Sequence, residues 1–234
     1  MLKNLVIIPA RGGSKGVPGK NLKLIAGYPL IYWSIKSAIE ATCVDKIVVT
    51  TDSPEIAKVA VELGATVPFL RPASISCDFS TTESALLHCV DWLKDNAEYV
   101  PENVILLQPT SPIRNTLSVD KSYKQFIDTH SDSLVSVNEF WHFLWENKKH
   151  PKALYSFMNR PRRQDISSKD IKYRENGSIY ITKTELLISN KNRLGGKITC
   201  FVMDEHEGYE IDTPLDFLIA EQILNKLDFS NMEN

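Results

Sequence analysis

Cysteine is scarce: the 234-residue chain carries four, Cys43, Cys77, Cys89 and Cys200, scattered and without a C-x-x-C pair. That spacing argues against a zinc site or a redox motif and fits a reducing compartment, so the expected location is the cytoplasm. Long apolar runs are missing as well. None approaches the ~20 residues needed to span a bilayer, so no membrane partner is expected. The first strand-like run begins almost at Met1, so no signal peptide is expected. Nor does one charge dominate: 27 Lys and Arg against 29 Asp and Glu give a formal net charge of -2, no basis for a nucleic-acid partner. What remains is ordinary globular usage, 43% hydrophobic and 24% charged. At this length a chain buries roughly 70% of its unfolded surface without a disulfide or metal. A single domain over residues 1–234 is expected.

The balanced total hides a local bias. Before Glu40 stand six basic residues, Lys3, Arg11, Lys15, Lys20, Lys23 and Lys36, and no acidic one, so this segment is expected to hold an anion. Within it, Leu5-Val6-Ile7-Ile8 is a short apolar run stopped by Pro9, the mark of a strand buried on both faces. Leu30, Ile31, Trp33, Ile35, Ala38 and Ile39 then recur at near-helical spacing, and residues 46–50 (KIVVT) form a second strand. Further helices are expected at 54–63, 81–94 and 117–127, with strands near 66–69, 103–107, 133–137, 178–182 and 197–202. A last amphipathic helix, 214–227, should bury Leu215, Leu218, Ile219 and Ile223, ahead of a frayed polar tail at 228–234. This alternation predicts an α/β fold, a mostly parallel sheet with helices on both sides. Over residues 139–175 the regularity fails. Aromatic and basic residues crowd there, as expected of an excursion with short strands of its own or a sugar-binding or dimer contact.

The strongest motif is P-A-R-G-G-S-K-G-V-P-G-K-N, residues 9–21, directly after the first strand. It reads as a phosphate cradle. Backbone N–H groups at Gly12, Gly13 and Ser14 can approach phosphoryl oxygens closely, and Arg11, Lys15 and Lys20 supply the neutralising charge. It is not a Walker A loop, which needs Gly and Ser or Thr where this chain has Ser14 and Asn21, and the dinucleotide G-x-G-x-x-G spacing is absent. The bland alternative is a flexible glycine loop with solvated lysines.

The run I-P-A-R-G-G-S-K-G-V-P-G-K-N resembles the opening motif of the acylneuraminate cytidylyltransferases, the CMP-sialic acid synthetases. The likeness continues through Thr51-Asp52, Arg71-Pro72, the stretch from Asp78 to Ser84, and L-Q-P-T-S-P at 107–112. It resumes at Arg162-Arg163-Gln164-Asp165, at E-N-G-S-I-Y from Glu175, and at E-I-D-T-P from Glu210, so it covers about Val6 to Leu224. The resemblance implies a three-layer, nucleotide-diphospho-sugar transferase-like (Rossmann-like) fold and a homodimer. It also implies a reaction in which CTP and a divalent metal, magnesium, join CMP to the anomeric oxygen of a nine-carbon 2-keto acid sugar, releasing pyrophosphate. Two rivals stay open: a relative acting on an eight-carbon ulosonic acid or a hexose 1-phosphate, and an inactive nucleotide-binding scaffold.

Site residues follow from the matched motifs. Lys15, with Arg11, is expected to stabilise the departing pyrophosphate. Asn21, Arg71, Ser80 and Thr82 match positions that hold the cytidine part of CTP in the family, although Ser80-Thr81-Thr82-Glu83 also fits a helix capping box. Gln108, just past an apolar strand, matches a ligand contact. Arg162, Arg163 and Gln164 match the sugar side, where a guanidinium fork suits the acceptor's carboxylate and the partner subunit sometimes supplies it. Asp212, with Glu210, is the candidate metal pair; residues two apart on an extended segment point the same way, and oxygen ligands suit magnesium. Glu210 departs from the family's usual Asp by one methylene. Where relatives specific for N-acetylneuraminic acid carry a basic residue, this chain has Leu144 among bulky aromatics, which suggests a less polar sugar tail of the legionaminic or pseudaminic type.

Overall fold

A computed structural model of the protein describes residues 3–115, 117–167 and 169–230. The elements, in chain order, are β1 (Asn4–Pro9), β2 (Leu24–Ile25), β3 (Tyr28–Pro29), α1 (Leu30–Glu40), β4 (Lys46–Thr50), α2 (Pro54–Glu62), α3 (Thr82–Ala97), β5 (Asn103–Leu107), α4 (Ser118–Asp128) and β6 (Ser133–Phe140). They continue with β7 (Trp145–Glu146), β8 (Lys152–Ala153), β9 (Lys172–Lys183), α5 (Thr184–Asn190), β10 (Ile198–Val202) and α6 (Pro214–Ser230). Six strands form one sheet in the order β10-β6-β9-β5-β1-β4. All pairs are parallel except those of β9, which runs against both β5 and β6.

The unbroken apolar run of β1 has the physical cause anticipated for it: the strand lies between two layers. On one face Val6 and Ile8 meet Ile31 and Ile35 of α1, Ile56 of α2 and Phe126 of α4. On the other, Leu5 and Ile7 meet Leu86, Val90 and Leu93 of α3 and Leu187 of α5. Each fully buried Leu, Ile or Phe of this kind contributes roughly 1.5–3 kcal/mol. A third cluster joins α6 to the loop after β1, through Phe217, Ala220 and Leu224 around Val17, Ile25 and Trp33.

Four expectations need correction. Residues 66–69 form no strand, only isolated bridges from Thr66 to Val48 and from Leu70 to Thr51. The excursion is shorter than 139–175, because Glu139 and Phe140 pair with Tyr173 and Lys172 and extend the sheet at both ends; the intervening 141–171 holds the β7–β8 hairpin. The last helix turns a different face inward: Leu215 and Leu218 are exposed while Phe217, Ala220 and Leu224 are buried, since α6 docks on the small β2–β3 side rather than on the sheet. It also stays helical through Ser230, and the remainder of the expected tail, 231–234, lies outside the described residues.

Candidate active site

Strands β1, β4 and β5 are parallel, so the residues after their C-terminal ends converge on one edge, where open α/β sheets bind ligands. There a cavity of about 350 Å³ is lined by Arg11, Ser14, Lys15, Gly16, Lys20 and Asn21 from the first loop, Arg71, residues 75–78 and residues 80–82 from the facing wall, and Gln108, Thr110 and Asp212 below. The loop is held at several points. Gly12 N donates to Asp52 Oδ1 at 2.9 Å, Asn21 Nδ2 donates to Arg11 O at 2.9 Å, and Val17 is buried against α6. Lys20 Nζ donates to Ile211 O at 2.6 Å and lies 3.8 Å from Asp212 Oδ1. Gly16 is required by contact: a Cβ there would sit 2.0 Å from Asp212 O.

Electrostatics set the character of the cavity. Arg71 is buried, its Nη2 lies 3.9 Å from Asp52 Oδ1, and its enclosed Nε has no protein partner. Burial lowers its pKa, with Asp52 acting against that. Burial likewise lowers the pKa of Lys20, opposed by Asp212 and Glu210. The other two cations meet an internal anion. Lys15 Nζ is 2.6 Å from Asp78 Oδ2 and Arg11 Nη1 is 3.0 Å from Asp78 Oδ1, and the hydrogen bond from Lys15 leads the contacts that hold this carboxyl below the ordinary range. A carboxylate from the opposite wall thus bridges the two cations the sequence marks for phosphate.

On that wall the helix cap falls one residue later than the capping-box reading. Thr81, not Ser80, caps α3 by accepting from Ser84 N at 3.1 Å. Glu83 instead pairs with Arg193 at 2.7 Å. Ser80 contacts Cys77 Sγ at 3.2 Å, and Ser80 and Thr82 both line the cavity.

Beyond Asp212 lies a second cavity of about 460 Å³, lined by His142, Arg174, Glu175, Asn176, Glu205, Gly208, Tyr209, Glu210, Asp212 and Asp216. Gly177 marks the boundary. Its φ is +64, and Gln108 Oε1 and Glu210 Oε1 each lie 2.9 Å from where its Cβ would be, so only glycine fits. A buried polar chain fixes this turn: Ser111 Oγ donates to Asn176 O at 3.0 Å, Asn176 Nδ2 donates to Asn138 Oδ1 at 2.9 Å, and Ile179 N donates to Ser136 Oγ at 2.8 Å. Glu210 accepts from Thr110 Oγ1 at 3.3 Å. Although the residue is exposed overall, protein packed round its carboxylate, and next the like charge of Asp212, push its pKa up. Thr213 caps α6 as its motif suggests, accepting from Asp216 N at 3.2 Å.

The structure therefore brings together Arg11, Ser14, Lys15, Lys20, Asn21, Arg71, Ser80, Thr82, Gln108 and Asp212 in one cavity, with Glu210 beside it. Gly12 and Gly13 belong to the loop but not to the lining, and the N–H of Gly12 is engaged by Asp52. Arg162, Arg163 and Gln164 line neither cavity: Arg162 is exposed and forked onto Asp165 at 2.6 and 3.0 Å, and Arg163 lies over the Trp141 ring at 5.1 Å. Leu144 lies in a third, apolar cavity of about 750 Å³ with Phe143, Tyr155 and Pro161, and that cavity shares His142 with the second. Asp52 and Arg174 are site residues to which the sequence reading gives no role, although Asp52 stands inside the matched T-D and Arg174 directly before the matched E-N-G-S-I-Y.

Comparison with known proteins agrees with this geometry. The family model described as Cytidylyltransferase matches residues 5–233. The chain is 33% identical to the CMP-N,N'-diacetyllegionaminic acid synthase of Legionella pneumophila, over 95% of this chain and 97% of that protein. It is 30% identical to the pseudaminic acid cytidylyltransferase of Campylobacter jejuni, over 97% of this chain and 98% of that protein. Among solved structures it shares a TM-score of 0.70, at 18% identity, with a CMP:2-keto-3-deoxy-manno-octonic acid synthetase complexed with CTP; the match covers 96% of this chain and 99% of the other. A loop rich in cations at the C-terminal edge of a mostly parallel sheet, a family match along nearly the whole chain and full-length relatives together place this protein in the cytidylyltransferase family.

Proposed function

We propose that the protein transfers CMP from CTP to the anomeric hydroxyl of a nine-carbon 2-keto acid sugar, a nonulosonic acid of the legionaminic, pseudaminic or sialic type. The observation that carries this reading is the meeting of two unlike cavities at Asp212, one cationic and one acidic. The hydroxyl oxygen bonds to the α-phosphorus, the bond from that phosphorus to the pyrophosphate oxygen breaks, and the hydroxyl proton is released to solvent. Such a displacement asks the protein for alignment and charge stabilisation rather than a covalent nucleophile. Arg11 and Lys15 take the β- and γ-phosphates in place of Asp78. Arg71, Ser80, Thr82 and Asn21 face the nucleoside, while Lys20 and Asn21 hold the loop in shape.

Magnesium fits the donor set. Glu210 and Asp212 are two carboxylates of one site, and burial first and the like charge of Asp212 second raise the Glu210 pKa, a cost that a bound dication would offset. Among the described residues no group of three His, Cys, Asp or Glu could hold a metal ion; Asp212 and Glu210 would hold magnesium through carboxylate oxygens. Bound there, it would neutralise charge on the reacting phosphates.

In the second cavity Arg174 is the one arginine of the lining, and it takes the acceptor's carboxylate, with Gln108 contacting the acceptor from the first cavity, across Gly177 from Glu210. The third cavity, reached past His142, takes the acceptor's apolar tail. Arg162 and Arg163 reach the acceptor from a second copy of the chain in a homodimer. Among the described residues no helix is long and apolar enough to cross a membrane, and a cytoplasmic enzyme is the reading adopted. The test is pyrophosphate release from CTP and magnesium with N-acetylneuraminic, legionaminic and pseudaminic acids, beside an eight-carbon ulosonic acid and a hexose 1-phosphate with each nucleoside triphosphate. Release with a nonulosonic acid and CTP is expected; release from none of the three overturns the reading.

A further inference from the structure

One enclosed charge has no part in the reaction above: Arg114, which lines neither of the two site cavities. The ladder between β5 and β9 has its last pair at Leu107 and Ile179. One residue further on each strand, the carbonyls of Gln108 and Ser178 accept from the same Arg114 Nη2, at 2.6 and 2.9 Å. Arg114 Nη1 donates to Ser34 Oγ of α1 at 2.9 Å, and Ser34 Oγ donates in turn to Gln108 O at 3.3 Å. The Nε of Arg114 is out of contact with solvent and has no protein partner. Burial lowers the pKa of this guanidinium and Glu207 opposes the shift. Glu207 is itself 3% exposed and accepts from Asn115 N and Ser118 Oγ at 2.7 and 2.9 Å.

Enclosing a charge is costly unless its donors are used, and only a planar fork reaches three acceptors on three separate elements. What the fork clamps is informative. Gln108 lines the first cavity and Glu210 the second, and Ser178 follows Gly177, against which the side-chain oxygens of both rest. Small shifts of those two backbones would move the amide and the carboxylate relative to each other.

We infer that Arg114 is a positioning residue, which sets the Gln108 amide and the Gly177 seat of Glu210 by clamping the backbones of Gln108 and Ser178 from behind the site. For its kinetic readout this rests on the cytidylyl-transfer reading; its structural readout does not. A lysine in its place would keep the charge but lack the fork, so Arg114→Lys is the main variant. CTP affinity by calorimetry is expected to stay within about twofold, because the cradle cations Arg11, Lys15 and Lys20 make their hydrogen bonds and ion pairs with Cys77, Asp78, Ile211 and Asp212 and not with the clamp's partners, while kcat falls by about 10²-fold, the size of a misplaced reacting group. In a Gln108→Ala background the same substitution should change kcat by less than about threefold, since positioning without the positioned group is worth little. Ser34→Ala, which removes one acceptor and leaves the arginine, is expected to act in the same direction more weakly and serves if Arg114→Lys does not fold. Without any substrate, the Gln108 side-chain NH2 signal, assigned by its loss in Gln108→Ala, should shift in both variants. An unmoved signal, an unchanged kcat, full additivity with Gln108→Ala, or a loss of CTP affinity matching the loss of turnover overturns the inference. If the wild type turns over no acceptor, the functional reading falls and the amide signal still decides the role of Arg114.

Discussion

The two cavities that meet at Asp212 are built from opposite materials. The first draws Arg11, Lys15, Lys20 and Arg71 to one edge of the sheet; the second gathers Glu175, Glu205, Glu210 and Asp216 around a lone Arg174. The difference teaches how one edge can hold two negatively charged substrates. A polyphosphate needs several cations, whereas a hydroxyl-rich acid with one carboxylate needs a single guanidinium and acceptors for its hydroxyls. On the proposed reading, the acidic remainder keeps a second polyanion out and would leave oxygen ligands for a metal where the cavities meet.

Substitutions on the two sides should separate this division of labour. The largest effect belongs to the cationic side: Lys15→Ala is expected to cost about 2–4 kcal/mol of transition-state stabilisation, the size of losing one preorganised charge donor, read as a fall in kcat/KM for CTP. Next comes Arg174→Ala, which should raise the acceptor KM with the loss of a charge-assisted contact worth about 1.5–3 kcal/mol, while leaving the CTP dissociation constant unchanged. Weaker CTP binding in that variant would erase the boundary between the cavities. Smaller still is Asp78→Asn. Because the wild-type carboxylate bridges Arg11 and Lys15 and must leave before phosphate arrives, the variant should bind CTP about threefold more tightly, a modest gain because the ion pairs are exposed. Looser binding would mean that Asp78 supports the cradle rather than occupying it.

The smallest effect is a pH dependence of stability. Contacts led by the Lys15 hydrogen bond hold the folded-state pKa of Asp78 below its unfolded value of 3.8. A depressed carboxyl favours the fold above that unfolded value and loses its contribution as pH falls through the folded one. The Tm difference between wild type and Asp78→Asn should therefore be constant from neutral pH to about 4 and close below it.

The first cavity is the more legible of the two in the sequence, for a physical reason. Three of its four cations, Arg11, Lys15 and Lys20, sit in one loop after one strand, so charge bias and glycine spacing reveal them without knowledge of the fold. Arg71, Ser80 and Gln108 come from motif resemblance, and the sheet brings them to the same edge. Asp52 and Arg174 act across 40 and 34 residues of chain, on Gly12 and Gly208, and no local pattern announces such closures. The α6 face escapes the periodicity because Leu215 and Leu218 have helical spacing with Ile219, yet the helix packs on the β2–β3 corner, where Phe217 fits better. The strand expected at 66–69 stays at single bridges, Thr66 to Val48 and Leu70 to Thr51, with Pro68, which has no N–H to give a ladder, between them.

The reversed strand β9 has a further consequence. Since it enters the sheet at the edge where β6 leaves, the detour between Phe140 and Lys172 begins and ends on the ligand side, without crossing the sheet. That detour can lengthen, shorten or change its aromatic lining while the β1–β4–β5 half keeps its register. On the proposed reading, the segment that receives the acceptor's tail is thus a replaceable module, whose change leaves the phosphate-holding half of the molecule undisturbed.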